Sequence, residues 1–203
     1  MNEAFSIFVD SMGQPVYRQE VPTSSLDRYK GIVPGQLLEY WTEHGWCGYA
    51  EGLFWTVNPQ EFEGVVAAWI GGTKLAARDT YHLIARSAFG DLYLFGEQTG
   101  FSLKIIGHLS YYVGKERKIA NMDRHVQNFF TMRDRETDDF EDLFEPIKNS
   151  LGVLKHDEMY AFVPALPFGG TATFDRVEKV KAVEHLVFLS QIAPLEPYSF
   201  SDF

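Results

Sequence analysis

Apolar residues recur along this chain first at helical spacing and then at strand spacing. Leu37, Leu38 and Trp41 form a stripe between Pro34, which suits a first helical turn, and Gly45, which suits a left-handed stop. A helix is predicted from Pro34 to His44. Asn58 and Pro59 open a second, with Phe62, Val65, Val66 and Trp69 on one face and Gly71 with Gly72 at its end. The run Tyr49 to Val57 between them reads as a strand. Tyr81 to Ser87 and Leu92 to Phe95 are aromatic and β-branched, and Phe89-Gly90-Asp91 connects them tightly. Glu97-Gln98-Thr99-Gly100 turns the chain into Leu103 to Ile106, and Leu109 to Val113 follows. This order predicts an α+β fold: an antiparallel β-sheet meander with helices packed on one face. No βαβ rhythm is present, which argues against a doubly wound sheet.

The polar, aperiodic stretch Gly114-Lys115-Glu116-Arg117-Lys118 marks a sub-domain boundary, dividing 1–114 from 119–203. The second part is expected to be mainly helical and packed against the first. Asp123 to Met132 is a short helix. Thr137 caps another, with Phe140, Phe144, Ile147 and Leu151 on one face and Gly152 as its stop. In the last, Asp175 and Glu178 form a capping-box-like pair, and Val180, Val183 and Val187 lead to Ile192. Tyr160 to Val163 reads as extended, and Pro164 to Gly170 as a turn-rich loop.

Composition narrows the class. The 203 residues are 45% hydrophobic and 15% aromatic, enough for a real core. No run approaches the roughly 18 to 20 apolar residues of a membrane span. Met1 to Asp10 lacks the basic region of a secretory signal. The single cysteine, Cys47, permits no internal disulfide and fits a reducing compartment, so a cytoplasmic location is expected. Eighteen Lys and Arg against 28 Asp and Glu leave a formal charge of −10. Such a field repels phosphate backbones and attracts basic partners, which disfavours direct nucleic-acid binding.

Catalytic templates mostly fail. No G-x-G-x-x-G occurs, and in Gly107 to Lys115 six residues separate the glycines, with Glu116 where a phosphate loop needs Ser or Thr. Ser87 lies between Arg86 and Ala88, not in a nucleophile elbow. His156-Asp157-Glu158 resembles the H-x-E of zinc deaminases, but one cysteine cannot supply their ligand pair. The histidines never stand at i, i+4 or in E-x-x-H, so a metal site built on one helix is not expected, and no cofactor is implied. Cys47 reads as a small buried hydrophobe beside the alternative of an activated thiol.

One feature rises above this background. Seven acids fall within Asp134 to Glu145: Asp134, Glu136, Asp138, Asp139, Glu141, Asp142 and Glu145. One reading places Asp138 and Asp139 in a first helical turn, complementing its dipole, with the others on a solvated face. The other is a patch that meets a basic protein surface, in which Phe140, Leu143 or Phe144 supplies an exposed apolar anchor. A nuclease carries positive charge to hold phosphates, and an acidic protein covering its cleft imitates the substrate's field.

The segment Gly13 to Pro22, Leu37-Leu-Glu-Tyr-Trp41, Gly45-Trp-Cys-Gly-Tyr49 and Gly52-Leu-Phe-Trp55 resembles the bacterial GAD-like domain family. The likeness continues through Asn58-Pro59, Ile84 to Leu94 and Gly96-Glu97. Tyr160 to Leu166, Gly169-Gly170 and Lys179 to Leu186 resemble the domain that commonly follows it. Proteins so arranged are similar to immunity partners of type VI secretion effectors, especially DNase toxins. The resemblance implies a non-enzymatic partner, an antitoxin that binds a cognate toxin, and carries over no catalytic residue. Rival readings are an RNA-related accessory module, an enzyme whose site converges His82, His108 or His125 with carboxylates, and a regulator that binds DNA only with its toxin.

Overall fold

The computed structural model describes residues 2–114 and 119–198. Lys115 to Lys118, the centre of the expected boundary, lie outside the described residues. The chain opens with two helices that were not expected, α1 (Glu3–Met12) and α2 (Thr23–Tyr29). Asn2 caps α1 by accepting from the Ala4 amide at 2.9 Å. Phe5, Phe8, Val9 and Met12 recur at helical spacing and are buried. Strand β1 (Val16–Gln19) lies between α1 and α2, and α3 (Gly35–His44) follows, ending at Gly45 with φ 77° as its spacing predicted.

The expected strand Tyr49 to Val57 is instead a hairpin of β2 (Trp46–Tyr49) and β3 (Phe54–Thr56). Ala50 and Glu51 turn the chain with φ of 48° and 59° ahead of Gly52 at 97°. Neither Ala nor Glu advertises a left-handed backbone, so the turn was invisible in the pattern. Asn58 and Pro59 start a short 3₁₀ turn that continues as α4 (Glu63–Ile70), and Phe62, Val65, Val66 and Trp69 are buried. Strands β4 (Tyr81–Ser87), β5 (Asp91–Gly96), β6 (Gly100–Ile106) and β7 (Tyr111–Gly114) complete the antiparallel meander.

Beyond the undescribed stretch come α5 (Met122–Thr131), the single turn α6 (Arg135–Asp138), α7 (Phe144–Leu151) and α8 (Ala182–Ile192). Between α7 and α8, β8 (Glu158–Phe162) and β9 (Val177–Lys181) form an antiparallel hairpin. The last helix therefore starts later than expected. Glu178 pairs across the hairpin with Ala161 rather than closing a capping box, because Val177 and Val180 serve the hairpin first. Finally β10 (Glu196–Pro197) lies parallel to β7, giving the sheet order β1-β2-β3-β4-β5-β6-β7-β10 among the described residues.

Every residue of β5 is buried, the pattern of a strand covered on both faces. Phe54, Tyr93 and Phe101 meet Phe8, Phe129 and Phe130 of α1 and α5 through a chain of ring contacts. Helix α4 packs on β4 and on α8. One hydrophobic cluster runs from Phe5 to Leu189, drawing on residues from both sides of the undescribed stretch.

Arg86, on β4, is fully buried. Its Nη2 donates to the carbonyls of His156 at 2.7 Å and Glu158 at 2.8 Å, and its guanidinium lies 5.4 Å from the Trp55 ring centre. Burial pushes its pKa down to about 9, so it remains a cation at neutral pH. Arg86→Leu is expected to cost about 3 kcal/mol, because the carbonyls of His156, Glu158 and, at 3.3 Å, Ser87 lose their donor. Urea unfolding with an unchanged denaturant slope checks this. A loss under about 1 kcal/mol would mean that water replaces the guanidinium without strain.

Candidate functional site

The acidic segment is put together from short pieces rather than one helix. Asp134, not Thr137, is the cap: its Oδ1 accepts from the Thr137 amide at 2.8 Å and hydroxyl at 2.7 Å. Those bonds hold its carboxyl below the ordinary range. The turn ends at Asp138, which is only 4% exposed and accepts a hydrogen bond from the Tyr93 hydroxyl. Asp139 reaches forward instead, accepting from the Phe144 amide at 2.9 Å at the start of α7. Asp138 thus closes α6 and does not sit in a first turn of α7, so only Asp139 serves a helix start there.

Between them Phe140 packs against the rings of Phe89, His108 and Phe162 at 5.6, 4.9 and 5.0 Å. This contact pins the loop that follows. Glu141 and Asp142 stand exposed in left-handed backbone, with φ of 51° and 63°. None of Phe140, Leu143 and Phe144 is an exposed anchor, since Phe144 is buried and the other two pack partly on the core. Glu145 turns to Arg135 at 3.2 Å and Lys148 at 2.9 Å, and Lys148 also pairs with Glu51.

The structure therefore brings all seven acids into one continuous segment and divides their work. Asp134, Asp138, Asp139 and Glu145 are engaged within the chain. Glu136, Glu141 and Asp142 are exposed, and their side chains make no hydrogen bond or ion pair among the described residues. Sequence could show the density of acids but not this division, which depends on Tyr93, Lys148 and Glu51 arriving from elsewhere.

Beneath the segment lies a buried polar group. Lys104 pairs with Asp91 at 2.7 Å, and the His108 Nδ1 lies 3.7 Å from the same carboxylate. Burial holds the His108 imidazole below its ordinary pKa. Beyond it, His82 contacts Glu97 at 3.0 Å and His125 accepts from the Phe101 amide at 3.0 Å, so these histidines are dispersed. Among the described residues no three His, Cys, Asp or Glu side chains cluster so as to hold a metal ion. Cys47 is buried, its thiol donates to the His44 carbonyl at 3.0 Å, and burial pushes its pKa up, away from an activated thiolate. Sequence reasoning missed an open groove of about 490 Å³ between β6, β7 and α5, whose walls include Phe101, Phe129, Met132 and Arg133.

An α+β protein with an acidic segment, and with no metal cluster among its described residues, is the class these observations define. A family model for the GAD-like domain matches residues 3–109, and the chain belongs to that family. A second model, described as T6SS immunity protein Tdi1, C-terminal, matches residues 123–193 and supports an immunity-protein role. The acidic segment falls inside this second match. The crystal structure of Atu4351 from Agrobacterium tumefaciens is similar over 98% of this chain and 93% of that one, with a TM-score of 0.85 and 21% identity. The two share a fold. No curated protein matches the chain.

Asp138 supplies a pH test. Burial first, with Asp91 adding, raises its carboxyl from 3.8 to about 6, while the Tyr93 bond, Lys104 and Arg133 pull it down. Its folded pKa lies above its unfolded value, so its contribution to stability is full below about pH 4 and is lost as pH rises through about 6. Asp138→Asn is expected to be more stable than the parent by about 3 kcal/mol at alkaline pH, and equal to it below about pH 4. Urea unfolding across that range measures the difference. A variant weaker than the parent at alkaline pH would mean that Lys104 and Arg133 outweigh desolvation.

Proposed function

We propose that this chain is the immunity protein of a secreted DNA-degrading toxin, and that it acts by stoichiometric binding in the cytoplasm rather than by catalysis. The match of residues 123–193 to the C-terminal part of a type VI secretion immunity protein carries this reading. The formal charge of −10 supports it, since a DNA-cutting partner must present cations to phosphate. No helix among the described residues is long and apolar enough to cross a membrane.

Covering the toxin's cleft is the simplest inhibitory route. An ordinary interface takes about 800 Å² from each partner, a small part of the 10158 Å² this chain exposes. The contact surface in this reading is the acidic segment, and Glu136, Glu141 and Asp142 are its outward carboxylates. Charges of this kind act mainly on encounter rate and on partner choice.

Co-purification with the toxin encoded beside this chain, followed by DNA cleavage with and without the chain, tests the reading. A tight complex that abolishes cleavage is expected; no complex, or one that leaves cleavage intact, rejects inhibition. Replacing Glu136, Glu141 and Asp142 together by Lys is expected to slow association about tenfold or more at low salt. The folded state should hold within about 0.5 kcal/mol, because these side chains bond nothing among the described residues. Rapid-mixing kinetics against salt concentration checks the rate, and an unchanged rate removes the segment from the interface.

A further inference from the structure

The groove between β6, β7 and α5 has its own chemistry. Phe101 and Phe129 stack across it with ring centres 3.7 Å apart, and Leu103 and Val113 continue the apolar wall. At the rim Met132 is 70% exposed and Val113 is 39% exposed. Apolar surface gathered around a concavity, rather than scattered singly, marks a place that another molecule covers.

The polar groups in the lining are few and unevenly engaged. Lys104 is neutralised by Asp91 at 2.7 Å. Arg133 closes no ion pair among the described residues: its guanidinium lies over the rings of Tyr93 at 4.9 Å and Phe129 at 5.0 Å, and its Nε is buried with no acceptor among them. Asp134 and Asp138 feel its charge, yet neither closes an ion pair with it. The Ser102 hydroxyl, in the same lining, is buried and has no partner among the described residues. A planar cation held flat on aromatic faces, with donors to spare, is arranged for a carboxylate.

Two features point to a protein occupant. The exposed Met132 and Val113 carry the apolar surface out of the groove onto its rim. The lining ends at Thr137, the residue after Glu136, so the acidic segment begins at the edge of the groove. An apolar centre beside a charged rim is the anatomy of a protein interface. Resting on the immunity reading above, we infer that this groove receives the toxin's apolar anchor, a segment that presents a large apolar side chain beside a carboxylate paired with Arg133. The toxin then contributes both signs of charge, an acid to Arg133 and bases to the acidic segment.

Calorimetric titration of the toxin encoded beside this chain into the full wild-type protein, Met132→Glu, Arg133→Gln and Phe168→Glu tests the assignment. Phe168 is an exposed apolar residue outside the groove lining. Met132→Glu and Arg133→Gln are expected to weaken binding about 30-fold or more, and Phe168→Glu less than about threefold. Toxin is also expected to slow amide exchange over residues 101–104 and 125–133. Met132 projects into solvent, so its variant folds even if Arg133→Gln does not. Wild-type affinity in Met132→Glu, exchange left unchanged in the groove, or an equal loss in Phe168→Glu overturns the proposal. A wild-type protein that does not bind the toxin at all overturns the immunity reading itself, and the groove assignment with it.

Discussion

Arg86 is a cation buried in the middle of the sheet with no carboxylate paired to it among the described residues, held by the carbonyls of His156 and Glu158, which lie 70 and 72 residues further along the chain. A bare guanidinium at such a place is strongly disfavoured, so those carbonyls and the face of Trp55 must stay where they are. Around this contact the Tyr160 amide donates to the Ala88 carbonyl at 2.9 Å, and the Ala182 amide to the Asp157 carbonyl at 2.8 Å. The first joins the β8–β9 hairpin to the end of β4. The second sets the start of α8. One fully buried side chain thus ties the chain entering the β8–β9 hairpin to β4.

That position decides how the acidic segment is displayed. Phe162, carried by the hairpin, forms with Phe89 and His108 the ring pocket in which Phe140 sits. Tyr93 holds Asp138 on one side of Phe140, and the Phe144 amide holds Asp139. With both ends tied down, Glu141 and Asp142 occupy a left-handed turn that short polar loops adopt only when their surroundings require it. The concentrated negative charge is then tolerated because part of it is consumed internally. Lys148, Arg135 and Lys104 stand among the acids, and burial favours the neutral form of Asp138.

The groove and the acidic loop are neighbours for a topological reason. Helix α5 packs across β6 through Phe129, and the chain leaving its end must pass Tyr93 before it can start α7. Arg133 stays over that ring while Asp138 bonds its hydroxyl. One tyrosine on β5 therefore organises an apolar groove on one side and an acidic surface on the other. A partner that uses both gains affinity from the first and encounter rate from the second.

Local pattern was enough for the elements whose ends are marked by their own chemistry. Pro34 and Gly45 bound α3, Gly90 sits at φ 88° between β4 and β5, and the strands from Tyr81 onward follow their aromatic and β-branched runs. The excess of acids, the single cysteine and the long aromatic motifs of the GAD-like family were likewise legible residue by residue. The β2–β3 turn was not, because Ala50 and Glu51 take left-handed backbone that their side chains do not favour. Nor was the boundary between β9 and α8, where the same valines suit either period and pairing with β8 decides. The acids could be counted in sequence, but their roles depend on distant residues, as in the Tyr93–Asp138 bond across 45 positions. Composition and local propensity are properties of the chain. Which carboxylate faces solvent, and which cation lies on aromatic rings beside a groove, is settled only by long-range packing that brings β5, β6 and α5 together.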